Sequence, residues 1–176
     1  MIGRIRPKRH GENGSLYSLH QERPDDLWEV EALYDLCFAP GRELLSSYRL
    51  RDGVSPVSEL CRVAKDDGGS IGGAIRYWPV RVGSAQLLLL GPVAVHPTAQ
   101  GEGLGAALIR DTLERARALE WGRVLLVGDE PYYRRFGFSK IEGVQMPPPT
   151  NPERVLALEL HPGAWQGVTG EVARKA

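Results

Sequence analysis

The stretch from Gln86 to Val127 constrains this chain more than any other. It opens with QLLLLGPVAV, a nearly unbroken apolar run that reads as a strand covered on both faces. Gly101, Gly103 and Gly105 follow on alternate positions. A helix then extends to about Glu120, with Leu104, Leu108, Ile109, Leu113, Ala116 and Leu119 recurring at helical spacing on its inner side. RVLLV, Arg123–Val127, reads as a second buried strand. Strand, helix and strand in this order form a crossover unit, right-handed by rule, with a parallel pair at its heart.

Around that unit the pattern is shorter-ranged. Ser15–Arg23 alternates as a strand, and Pro24-Asp25-Asp26 opens a helix carrying Leu27, Val30, Leu33, Tyr34 and Cys37. Glu43–Leu50 reads as a shorter helix stopped by Asp52-Gly53. Glu59–Lys65 and Ser70–Val82 read as strands joined by a hairpin at Asp66–Gly69, and Gly83-Ser84 turns the chain into Gln86–Val95. Downstream lie a short helix at Pro131–Arg135, a strand start at Phe138–Ile141 and a last strand at Arg154–Leu160. No repeat or long linker interrupts the 176 residues, so one domain spanning 1–176 is expected. Residues 1–13 read as a flexible terminus and 144–153 as a proline-rich connector. The free edge of the last strand leaves a homodimer open.

Composition narrows the partners. Lys plus Arg equals Asp plus Glu at 22 each, which argues against a nucleic-acid binder; Arg4, Arg6, Lys8 and Arg9 read as a solvated terminus. Cys37 and Cys61 form no CxxC pair, so no structural zinc or other metal is expected. The longest apolar run is too short to span a bilayer, and no secretory leader is visible, so the expectation is a cytoplasmic protein without a membrane partner.

Glycines ahead of a helix bare a run of N–H groups, and the helix end adds about half a positive charge, a combination suited to a phosphate or diphosphate. Two signatures fit the letters. Gly101, Gly103 and Ala106 match the dinucleotide pattern G-x-G-x-x-G/A, with Asp129 near the place of a ribose-binding acid. Against it, five residues separate Val95 from the first glycine, the preceding strands meander, and fewer than fifty residues follow Asp129. The second signature begins at Gln100. Q-G-E-G-L-G-A, Gln100–Ala106, resembles the Q/R-x-x-G-x-G/A signature of the GNAT acyltransferase superfamily. LLLLGPVAVHP resembles the strand preceding that signature, and RVLLVGDEPYYRRFGF the strand and helix after it, with Tyr133 four residues before the Gly137-Phe138 pair.

The resemblance implies an α/β (α+β) fold of GNAT type: a mixed, mostly antiparallel central sheet of about seven strands flanked by about four helices, with strands 4 and 5 splayed. It implies an acetyl-CoA-dependent N-acetyltransferase, acting on an amine acceptor by direct attack in a ternary complex. Gln100, Gly101, Gly103, Leu104, Gly105 and Ala106 would hold the diphosphate of acetyl-CoA. Pro92 cannot donate to a ladder, so Gly91-Pro92 marks a bulge or unpaired stretch. The strand segment Val93, Ala94 and Val95 would line the resulting cleft for the pantetheine arm, with Val95 the expected oxyanion donor. Tyr133 would lie beside the sulfur and protonate the departing thiolate; its neighbour Tyr132 is expected to point elsewhere, under the sheet.

The base is less defined, because QLLLLGPVAV carries no carboxylate. Glu130 or Asp129 at the cleft mouth could act through water, although Asp129 also suits a helix cap before Pro131; His96 lies where the chain turns away. Arg42, Tyr48, Arg49 and Arg51 lie in the segment expected to form the acceptor pocket, and two arginines facing the cleft would favour an acceptor bearing a carboxylate or phosphate. The absent strand carboxylate also fits a catalytically quiet acyl-CoA-binding module.

Overall fold

The computed structural model describes residues 4–5, 17–38 and 45–176. In chain order it contains β1 (Arg4–Ile5), β2 (Tyr17–Gln21), α1 (Leu27–Cys37), α2 (Ser46–Arg49), β3 (Arg62–Lys65), β4 (Ile71–Val82) and β5 (Ala85–Val95). There follow α3 (Leu104–Ala118), β6 (Arg123–Val127), α4 (Glu130–Tyr133), β7 (Ser139–Lys140), β8 (Val144–Gln145), β9 (Val155–Glu159) and β10 (Gly170–Arg174).

The spine is the β4–β5 hairpin. Its tight turn is possible because Gly83 takes φ +58°, matching the twist of the flanking strands. The sheet runs β1-β2-β3-β4-β5-β6-β9-β7, with β10 pairing the far end of β4 and also β8. Neighbours are antiparallel except for β5/β6 and β8/β10. A mostly antiparallel sheet with one parallel pair at its centre is not the doubly wound parallel sheet that a dinucleotide site requires. The mixed, mostly antiparallel architecture, with four α-helices among the described residues, is the one expected.

Helix α3 covers one face of the sheet. Leu104, Leu108, Ile109, Leu113 and Ala116 pack with Ile75, Tyr77, Leu88 and Val124 into one core. Each fully buried aliphatic contributes roughly 1.5–3 kcal/mol. Leu119, expected inward, is instead 46% exposed at the end of the helix, while Thr112 takes the inward place. Thr112 Oγ1 donates to Leu108 O at 2.7 Å and meets the buried Tyr77 hydroxyl at 2.8 Å, so both hydroxyls enter the core partnered. On the opposite face α1 brings Val30, Leu33 and Tyr34 against Ala74 and Ala94.

Several boundaries move. Glu59–Leu60 belongs to a 3-10 turn, Ser58–Leu60, before β3 begins at Arg62. The second helix shortens to Ser46–Arg49; its expected start at Glu43, like Ser15, Leu16 and Arg42, lies outside the described residues. Arg4–Ile5, in the terminus expected to be flexible, pairs with Tyr17–Ser18. The 144–153 connector contains β8. The strand expected last is not an edge: β9 lies between β6 and β7, so the free edge that left a homodimer open is absent there. The final strand is β10, which pairs with Val80–Val82.

Candidate active site

The site begins at a defect in the spine. Tyr77 opposes Leu90 and Ile75 opposes Val93, so Gly91 and Pro92 together face Arg76 alone. This is a β-bulge of the kind a proline forces on an interior strand. Side chains secure it: Trp78 Nε1 donates to Gly91 O at 2.9 Å and Tyr34 Oη to Pro92 O at 3.4 Å. The bulge also ends the parallel pairing. β5 and β6 are in register only at Leu88–Val124 and Leu89–Leu125, and beyond that point they diverge.

Strand parity decides which backbone groups face the gap. His96 N–H donates to Gly72 O at 2.8 Å, so the His96–Gly72 pair exchanges ladder bonds. Antiparallel pairs alternate, hence Ala94–Ala74 is also bonded, whereas Val93 and Val95 turn their amides away from β4 and toward the β6 side. Ala94, expected to offer a free amide, spends it within the sheet.

A cavity of about 310 Å³ occupies the divergence. Leu89 to Val93 form one wall and Leu126 to Asp129 another; Tyr132, Tyr133 and Arg154 close it from α4 and the start of β9, and Tyr48 and Arg51 from the α2 side. Val93 lines it and Val95 does not, so Val93 is the better-placed donor of the two.

At the head of α3, Gly101 and Gly103 hold φ +86° and +75°, with open space where a Cβ would stand. Gly103 is the cap, and the first intrahelical bond runs from Ala107 N–H to Gly103 O at 3.0 Å. The amides of Leu104, Gly105 and Ala106 therefore have no acceptor within the helix. The buried Leu104 side chain fixes the turn from below, and Gln100 is exposed just ahead of it. Gly105 is already helical, and a Cβ there would lie 3.4 Å from Tyr132 Oη and 3.5 Å from Val95 Cγ2, ordinary contact distances that would also admit alanine.

Tyr132 and Tyr133 both line the cavity, with ring centroids 5.0 Å apart and planes at 85°, so the expectation that only one faces it does not hold. Tyr133 also packs edge-on against Phe138, its ring crossing directly over Gly128. Burial, reinforced by Tyr132 and the Asp129 charge, pushes the Tyr133 phenol up to about 12. It is protonated at any neutral pH.

The two carboxylates part company. Glu130 Oε1 accepts from Arg134 Nη2 at 2.9 Å, its other oxygen lies 3.7 Å from Lys140 Nζ, and these cations hold it below the usual carboxylate range. It does not line the cavity. Asp129 does, 3.4 Å from Arg154 Nη2, and its side chain makes no cap bond although it stands at the cap position of α4. His96 is engaged elsewhere: Thr98 N–H donates to its Nδ1 at 3.2 Å, capping the turn Pro97–Ala99. Arg49 donates outward to Pro148 O, whereas Arg51 enters the cavity wall. The sequence reading passed over Arg154, whose place opposite Asp129 depends on β9 lying beside β6. Among the described residues no group of His, Cys, Asp or Glu is placed to hold a metal, and no helix is long and apolar enough to cross a membrane.

Comparison with known proteins adds independent evidence. Residues 58–140 match the family model described as an acetyltransferase (GNAT) domain. The chain is 32% identical over 121 residues to the uncharacterized N-acetyltransferase YhbS of Escherichia coli K12, covering 67% of this chain and 71% of that one. Its fold is similar to that of the crystal structure of the GNAT family N-acetyltransferase YhbS from Escherichia coli in complex with CoA, with a TM-score of 0.80 at 27% identity, covering 95% and 94% of the two chains. It is also similar to a GNAT family acetyltransferase from Brucella melitensis in complex with acetyl-CoA, with a TM-score of 0.68 at 29% identity over 91% and 96%.

Proposed function

Since this chain belongs to the GNAT acetyltransferase family, we propose that it transfers an acetyl group from acetyl-CoA to an amine by direct attack in a ternary complex. The observation that carries this reading is the opening between two parallel strands paired at only two positions, lined by an outward-turned amide and a protonated tyrosine. Two of its similar structures were solved with CoA or acetyl-CoA, which supports placing the same ligand here.

In this reading the diphosphate seats on the amides of Leu104, Gly105 and Ala106, where Gly101 and Gly103 leave room for it. The pantetheine arm lies in the gap beside β5, and Val93 N–H donates to the thioester oxygen. The attacking amine must be neutral; Asp129, directly or through a water, is the group in the cavity able to take its proton. As the N–C bond forms, negative charge collects on the carbonyl oxygen, where a fixed amide is worth most. The C–S bond then breaks, and Tyr133 donates to the thiolate. A phenol near 12 beside a thiol near ~8.5 stays protonated at rest and acts mainly by donating a hydrogen bond to the sulfur as charge builds there, full transfer being uphill.

Coenzyme A thiol release across amine classes, run beside Tyr133→Phe, tests the proposal. Release with at least one class is expected, with a rate loss of tenfold or more in the variant, about 1.4 kcal/mol. Binding of acetyl-CoA without release on any amine would replace it with the quiet binding module; an unchanged rate in Tyr133→Phe would remove the tyrosine from the chemistry.

A further inference from the structure

Arg51 is the anomaly of the cavity wall. The residue is 9% exposed, and its Nε is buried with no hydrogen-bond partner among the described residues. No carboxylate among them pairs with it. Two aromatic residues hold the guanidinium instead: it lies 4.1 Å from the Tyr48 ring centre and 5.3 Å from that of Trp78, and the Tyr48 side chain also hydrogen-bonds to it. The guanidinium lies against the bulge, where a Cβ at Gly91 would stand 3.5 Å from Arg51 Nη2. Contrast Arg76 on the same face of the sheet, whose fork is filled by Glu22 at 2.7 and 3.0 Å and by Glu31 at 2.6 Å. A buried cation costs stability unless something answers it, and burial pushes Arg51 down to about 10. The N–H groups of the fork that Tyr48 does not take, Nε among them, match a planar carboxylate.

We propose that Arg51 is the seat of a carboxylate on the acceptor, so that the acceptor carries both an amine and a carboxylate. This rests on the acetyltransferase reading above and adds the acceptor's chemical class. The opposite wall suits the other end of such a molecule, because Asp129 lies there with the tyrosines. The cavity, at about 310 Å³ and shared with the thioester, has room for a small acceptor. An acyl donor ending in a carboxylate would present the same chemistry from the other substrate, so both sources are measured.

The test uses the full chain saturated with CoA. Succinate, glutarate, benzoate and N-acetylglycine are titrated by calorimetry and thermal shift, each against its carboxamide at equal ionic strength. At least one carboxylate should bind saturably, tenfold or more tighter than its amide. Arg51→Met, which keeps the stem under Tyr48, should abolish that preference, and Arg51→Lys should retain part of it. CoA affinity should stay within about twofold in both variants, which separates this proposal from the one it rests on: failure of the wild type to bind CoA strikes the acetyltransferase reading instead. Circular dichroism shows whether Arg51→Met folds, and Arg51→Lys carries the comparison if it does not. Equal binding of acids and amides, or a preference surviving in Arg51→Met, overturns the proposal. So does tighter binding of succinyl-CoA than acetyl-CoA that depends on Arg51, because the carboxylate then belongs to the donor.

Discussion

Replacing Gly128 with alanine is the sharpest test of how Tyr133 is held. The new Cβ would lie 2.5 Å from Tyr133 Cε2, 3.0 Å from Cδ2 and 3.1 Å from Leu126 Cδ1. Carbon atoms rest at about 3.5–4.0 Å, so the ring must retreat by about 1 Å. The Leu126 methyl can rotate away, but the tyrosine ring is stopped by Phe138 and Tyr132. Gly128 has no positive φ, so its backbone accepts alanine, and the reduced freedom of the unfolded chain alone would stabilise by about 0.4–1 kcal/mol. Overpacking costs about 1–3 kcal/mol and wins, leaving a net loss of about 1–2 kcal/mol. In a Tyr133→Ala background the clash vanishes and the same alanine becomes neutral or stabilising. Urea unfolding of the four proteins should therefore give a coupling energy of about 1–3 kcal/mol. A displaced phenol should also lower kcat on the order of 10²-fold while leaving the CoA Kd nearly unchanged. Additive effects in the cycle would refute the reasoning, because the two residues would then not be in contact.

Three further outcomes follow from the same geometry. Between pH 10 and 12 an unfolded tyrosine ionises while Tyr133 stays protonated, so its contribution is intact below pH 10 and is lost as pH rises toward 12; Tyr133→Phe should flatten that part of the stability profile. At Gly103, where φ is +75° and nothing crowds a Cβ, alanine should cost about 1 kcal/mol of backbone strain and weaken CoA binding measured by calorimetry, and asparagine, which tolerates this conformation, should recover most of the stability. Thr112→Val leaves the Tyr77 hydroxyl unpaired inside the core, so chemical denaturation should show a loss of about 1–3 kcal/mol without a change in CoA affinity.

The parts of the fold that could be read beforehand are those whose reasons are local. β5 is apolar from Leu87 onward because both faces are covered, and Pro92 announces its own bulge because it has no N–H to give. The parts that could not be read have non-local reasons. β10 has only Val172 and Ala173 to mark it, and it forms because the far half of β4, twelve residues long, extends past β3 and needs a partner. β9 reads as a terminal strand when taken in order, and only its insertion beside β6 makes it internal.

The same division runs through the site. Gly101 and Gly103 are legible because each occupies a backbone conformation that other residues resist, whereas Gly105 shares their spacing but lies in ordinary helix where alanine would also fit, which no spacing reveals. Ala94 and Val93 sit side by side in an apolar run, and only the ladder bond at His96 shows which amide faces the gap. Charge is harder still. Of Asp129 and Glu130, adjacent in the chain, one meets Arg134 one turn along its own helix and leaves the chemistry, while the other meets Arg154 from a distant strand and stays in the cavity. Arg49 and Arg51 differ in the same way: two positions apart, one reaches a surface carbonyl and the other is roofed by Tyr48 over the bulge. A guanidinium buried without an anion among the described residues is therefore what a sequence conceals best, because its meaning depends on what the neighbouring elements do not supply, and that is why the acceptor's chemistry is to be sought at Arg51.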